Sequence, residues 1–113
     1  MNRCWIRMAL PPLLAAFFVQ FFVRPVKADN VAEVTYKAKC AACHATDGSG
    51  DTAVGKKLGT HDFRSPEVQK MSDAELSEIL AKGKNKMPGY EKSLKPDEIK
   101  GLVTYIRSFA ATK

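Results

Sequence analysis

Cys40-Ala41-Ala42-Cys43-His44, CAACH, is the stretch on which the reading of this chain turns. Two thiols stand two residues apart and an imidazole follows at once. Four chemistries use such a set: a disulfide, a redox dithiol, part of a zinc site, and covalent attachment of a haem. A thioredoxin-type CxxC expects a βαβ setting, and no stretch here reads as strand. A structural zinc site takes four ligands. CAACH supplies three neighbours, His61 is the only other histidine, and there is no second cysteine pair. A disulfide across two residues would staple little of the chain and leave His44 idle. The surviving reading is haem c attachment. Cys40 and Cys43 would add across the two vinyl groups, one helical turn presenting both sulfurs to one edge of the macrocycle. His44 would then reach the iron from that side.

The N-terminus agrees with this reading. Arg3 and Arg7 precede an apolar run from Met8 to Val23, interrupted by Pro11, Pro12 and Gln20, and Val26-Lys27-Ala28 closes the segment with small residues at the positions a signal peptidase reads. Residues 1–28 are expected to be a cleaved export signal, with 29–113 as one domain. A retained membrane anchor is the rival reading. A spanning helix needs about 20 apolar residues, and this run is shorter and contains a Pro-Pro pair. Cys4 lies inside the signal.

Four of the 18 basic residues and none of the 12 acidic ones lie in residues 1–28, so the formal charge falls from +6 to +2 on cleavage. The high pI is partly a property of the signal, and no nucleic-acid partner is expected. Tyr36, Phe63, Tyr90, Tyr105 and Phe109 are the only aromatics beyond residue 28. A domain this small often needs a staple such as a cofactor at its centre.

The pattern is all-α, with about four short helices and no strand. Asn30 with Glu33 has the form of a capping box, and a first helix is expected over Val31–Cys43, with Val31, Val34, Ala38 and Ala41 at helical spacing. Ala45 to Thr60 is polar and glycine-rich and reads as a loop wrapped around something. Ser65-Pro66-Glu67 reads as a cap, an N1 proline and an acidic first turn. Ser72 and Glu75 form a second capping box ahead of a helix over Asp73–Lys82, stopped near Gly83. Pro96 opens a last helix, with Ile99, Leu102, Val103, Ile106, Phe109 and Ala110 on one face.

A second axial ligand would come from Met71, Met87 or His61. Methionines usually fill cores, and Met71, just ahead of the third helix cap, fits that role. Met87 stands among Lys84, Asn85, Lys86 and Pro88, a polar setting in which an apolar side chain needs another reason.

With these features, residues 29–113 resemble a small bacterial class I cytochrome c, a soluble mono-haem electron carrier. CAACH ends the first helix. Met87-Pro88 lies in a loop before the last helix, which carries Leu102, Tyr105 and Ile106. Ala32 and Tyr36 stand where the family packs its first helix against its last. The resemblance implies a helical shell around one covalent haem c, with Cys40 and Cys43 as thioethers, His44 as proximal and Met87 as distal iron ligand. His/Met ligation raises the reduction potential relative to stronger-donor pairs. Many relatives carry a proline after CxxCH whose carbonyl orients the histidine. Here that loop reads Ala53-Val54-Gly55-Lys56, so another carbonyl is expected to serve. Arg64, Lys57 or His61 would take the propionate role of the tryptophan found in relatives. Val54, Leu58, Phe63, Leu76, Ile79, Leu80, Tyr90, Leu94 and Leu102 are expected as pocket wall.

The expected function is that of an exported, periplasmic, monomeric one-electron carrier that is not an enzyme and has no small-molecule substrate. Its partners would be redox proteins, with Lys82, Lys84 and Lys86, joined by Lys92 and Lys95, as a docking patch. Membrane contact would come only through partner complexes. The alternatives are a gas-binding, sensor or catalytic haem protein with an open sixth site, and a haem subunit of a larger membrane redox complex.

Overall fold

The computed structural model describes residues 27–112, so the export signal expected over 1–28 lies almost wholly outside the described residues. Six α-helical segments appear: α1 (Ala28–Lys39), α2 (Ala41–His44), α3 (Ala53–Leu58), α4 (Pro66–Gln69), α5 (Asp73–Lys82) and α6 (Pro96–Ser108). A 3-10 turn, Phe109–Thr112, continues α6. Two short strands, β1 (Gly83–Lys84) and β2 (Met87–Pro88), pair antiparallel as a hairpin that the sequence pattern did not reveal.

The expected helices are present, with two differences. α1 starts earlier than Asn30. Lys27 is its N-cap residue and no side chain caps it, while the Glu33 carboxylate accepts from Lys37 Nζ at 2.6 Å instead of reaching back to Asn30. α1 also stops at Lys39, where Cys40 keeps a right-handed backbone but with φ stretched to −116°, and the rest of CAACH forms the separate turn α2. Within the supposed loop 45–60, residues 53–58 are helical. The Thr52 hydroxyl caps α3 by accepting from the Gly55 N–H at 2.8 Å, and Gly59, at φ 66°, ends it in the left-handed region that glycine tolerates.

Local signals explain the other elements. Ser65 caps α4 with Pro66 at its first position. Ser72 and Glu75 make a reciprocal capping box on α5. At α6, the Glu98 carboxylate accepts from the Lys95 N–H at 2.7 Å.

The core lies between α1, α5 and α6. Tyr36 and Leu102 are each 1% exposed and sit at its centre with Leu80, Val103, Ile106 and Phe109. The stripe of α1 that faces inward is Ala32–Tyr36. Val31 and Val34 point outward, at 41% and 67% exposed, although they share the helical spacing. Tyr36 packs its ring 5.1 Å from Tyr105 and 5.3 Å from Phe109. Two polar side chains tie the middle of the chain to α6. Gln69 donates to the carbonyls of Phe63 (2.6 Å) and Ile106 (3.1 Å). Arg107 donates to the carbonyls of Gln69 and Met71 and to the Asp73 carboxylate.

Candidate haem site

α1 ends beneath a cleft whose empty space, counted to its open mouth, is about 1130 Å³. Cys40, Cys43 and His44 line one part of it, and Met87 of the hairpin lines another. All four site residues expected from the sequence therefore border one cavity. Phe63, Val68, Met71, Leu76 and Ile79 add apolar wall.

The attachment turn is held at its main chain. The two last carbonyls of α2 would be orphans of the helix end. The Gly50 N–H donates to the His44 carbonyl at 2.8 Å, and the Thr52 hydroxyl donates to the Cys43 carbonyl at 3.0 Å. Gly55 makes this closure possible: a Cβ there would stand 2.3 Å from the carbonyl oxygens of both Cys43 and Gly50. The Tyr36 hydroxyl donates to the carbonyl of Ala45, directly after the motif. Burial pushes that phenol well above its usual range, so it stays protonated and able to donate.

The two cysteines are free thiols, each partly buried. Burial pushes the Cys40 thiol up to about 11. The His44 ring is also partly buried, and burial lowers its pKa to about 4, with the main chain of His61 acting the other way. Its Nδ1 is buried without a hydrogen-bond partner among the described residues. These features fit a covalent haem: two unpaired thiols and a neutral imidazole, the form that ligates metal, at the edge of an apolar cleft.

The hairpin presents Met87. Gly83 stands at φ 80°, where a Cβ would lie 2.5 Å from the Met87 carbonyl, and Asn85 takes the left-handed conformation at φ 53° that asparagine tolerates. Lys84 is the cross-strand partner of Met87. The hairpin is anchored where the Tyr90 and Glu91 N–H groups bond the carbonyls of Leu80 and Ala81.

Several secondary expectations change. Val54, Leu80, Leu94 and Leu102 do not line the cleft: Val54 is exposed, and the three leucines belong to the core beside it. Of the three propionate candidates, only His61 lines it. Arg64 is taken up by a two-point pair with Asp62, at 2.9 and 3.0 Å, and by Asp47 at 3.8 Å. Lys84 and Lys86 line the cleft, while Lys82 pairs along its helix with Glu78 at 2.9 Å. Lys39 also lines the cleft, a position missed because it reads as an ordinary solvent-facing helix lysine.

A helical shell enclosing a cleft edged by a CxxCH turn defines a small c-type cytochrome of the class I fold. The chain belongs to the family described as "Cytochrome C oxidase, cbb3-type, subunit III", whose model matches residues 28–106. It is 28% identical over 102 residues to cytochrome c-555 of Methylococcus capsulatus, covering 83% of this chain and 77% of that protein. Its fold is similar to the solved structure of the KustC0563 c-type cytochrome, with a TM-score of 0.64 and 34% identity over 69% of this chain and 95% of the other. The chain accordingly carries covalently bound haem c and serves haem-based electron transfer with redox protein partners. No helix among the described residues is long and apolar enough to cross a membrane.

Proposed function

We propose that this chain is an exported, periplasmic, monomeric one-electron carrier, not an enzyme, with Cys40 and Cys43 as thioether links and His44 and Met87 as axial ligands. The observation that carries this reading is that these four residues border one cleft. Haem c, when bound, supplies an iron that alternates between Fe(II) and Fe(III). The protein's residues do the rest. Cys40 and Cys43 fix the attachment edge, and the bonds that the Gly50 N–H and the Thr52 hydroxyl donate to the His44 and Cys43 carbonyls hold the main chain of the turn. The Met87 thioether, a soft donor, favours Fe(II). Phe63, Val68, Leu76 and Ile79 keep water out, which penalises the extra charge of Fe(III). Lys84 and Lys86 give the rim of the cleft a positive rim for an acidic partner.

An absorption spectrum of the purified protein in both oxidation states, with its mass, tests the reading. The expected result is a low-spin c-type spectrum and a mass equal to residues 29–113 plus one haem. A high-spin oxidised spectrum would overturn the axial pair, and a mass retaining residues 1–28 would overturn cleavage. A haem subunit of a larger membrane complex is the second reading, favoured by the description of the family. The native size of the purified protein separates it from a free carrier.

A further inference from the structure

We infer that the Phe63 ring sets the plane of the His44 imidazole. This inference rests on His44 being the proximal ligand. The two rings are stacked, with centroids 4.2 Å apart and planes 17° from parallel. A histidine ring turns easily about its Cβ–Cγ bond, where the torsional wells are broad. A ligand imidazole is usually fixed by a hydrogen bond from its second nitrogen. Beyond a main-chain contact from His61 that falls short of full hydrogen-bond geometry, His44 Nδ1 has no such bond among the described residues, and the stacked ring is the surface that limits rotation.

Phe63 is itself held on several sides. It is 8% exposed. Its N–H donates to the Gly48 carbonyl at 2.8 Å, and its carbonyl accepts from Gln69 Nε2 at 2.6 Å. Gln69 reaches on to the Ile106 carbonyl, so the position of Phe63 is referred to α6. The Phe109 ring also packs near it, with centroids 6.3 Å apart and planes 27° from parallel. Phe63 thus contacts rings of both the attachment turn and the C-terminal end of α6. The orientation of an axial imidazole plane controls the splitting of the iron orbitals. It can therefore be read from the magnetic anisotropy of the oxidised protein, which fold stability alone does not move. Phe63 is a positioning residue, acting through His44.

The test uses oxidised holoprotein, with electron paramagnetic resonance for the g values and NMR for the hyperfine-shifted haem methyl resonances. Phe63→Leu removes the ring and keeps the site apolar. It should shift the g values and reorder the methyl resonances, and Phe63→Tyr should restore the native pattern. Gln69→Leu, which frees the Phe63 carbonyl without touching the ring, should give a smaller shift of the same kind and serves if Phe63→Leu does not fold. A folded Phe63→Leu protein with unchanged g values and methyl order would overturn the inference and assign the orientation to another group, such as the main chain of His61. So would an unchanged Gln69→Leu pattern where Phe63→Leu is not obtained. His44→Ala separates the underlying reading: a variant keeping the native low-spin signals would show that His44 is not the ligand.

Discussion

The Tyr36 hydroxyl donates a 2.7 Å hydrogen bond to the Ala45 carbonyl, joining the most buried side chain of α1 to the residue that follows the haem-attachment turn. Ala45 holds φ 62°, unusual for a residue with a side chain, and the bond satisfies its carbonyl. Tyr36→Phe keeps the ring contacts with Tyr105 and Phe109 and removes only this donor. Denaturant unfolding of the holoprotein should show a loss of about 1–2 kcal/mol from the unsatisfied carbonyl. Wild-type stability in this variant would mean that water replaces the hydroxyl.

Cys40→Ala and Cys43→Ala should each leave little holoprotein. In wild type, acid-acetone should leave the colour with the protein, since thioether bonds survive denaturation. Colour passing into the solvent would show that the cysteines do not hold the cofactor.

Met87→Ala should abolish the weak far-red charge-transfer band of an iron–thioether bond, admit cyanide or imidazole, and lower the reduction potential. Met71→Leu should change the spectrum little, although Met71 also lines the cleft. If Met87→Ala kept the native spectrum while Met71→Leu or His61→Ala lost the native ligation, the axial assignment would pass to that residue.

Lys84 and Lys86 stand at the cleft, so reversing both charges should slow reduction by an acidic partner on the order of tenfold at low salt. The reduction potential should barely move. Stopped-flow rates that ignore ionic strength in wild type would remove the steering role.

The Ser72–Glu75 capping box supplies a pH signature. The Ser72 N–H and hydroxyl both donate to the Glu75 carboxylate and hold it below the usual glutamate range. A depressed folded pKa means that this contribution is complete above the unfolded value. It is lost as pH falls through the folded one. Ser72→Ala should cost about 1 kcal/mol at neutral pH, and the difference in melting temperature from wild type should narrow in acid. A constant difference down to pH 2 would rule out the carboxylate as the other half of the box.

Features written in a few adjacent residues could be read from the sequence. CAACH, Ser65-Pro66, Ser72 with Glu75, and Pro96 each carry their own local reason for forming. α3 could not be read in this way. It contains Gly55, both Val54 and Leu58 are exposed, and the helix is held by Thr52 reaching back to Cys43, a bond visible only in space. Periodicity also failed to choose between the two stripes of α1. Val31–Val34 and Ala32–Tyr36 have compatible spacing, and the match of Tyr36 to Tyr105 and Phe109 decides which faces inward. Met87 stands out in the sequence as an apolar side chain in polar company, and it lines the cleft, whereas the stacking of Phe63 on His44 joins distant positions that no motif connects.

The packing of α1 on α6 has a consequence for the order of events during synthesis. Tyr36 lies near the start of the domain, and its ring partners Tyr105 and Phe109 lie near its end. The core therefore cannot close until almost the whole polypeptide has been made. A nascent chain emerging N-terminus first exposes CAACH long before α6 exists to fold against it. Late closure thus keeps both thiols accessible for haem attachment until α6 packs on α1.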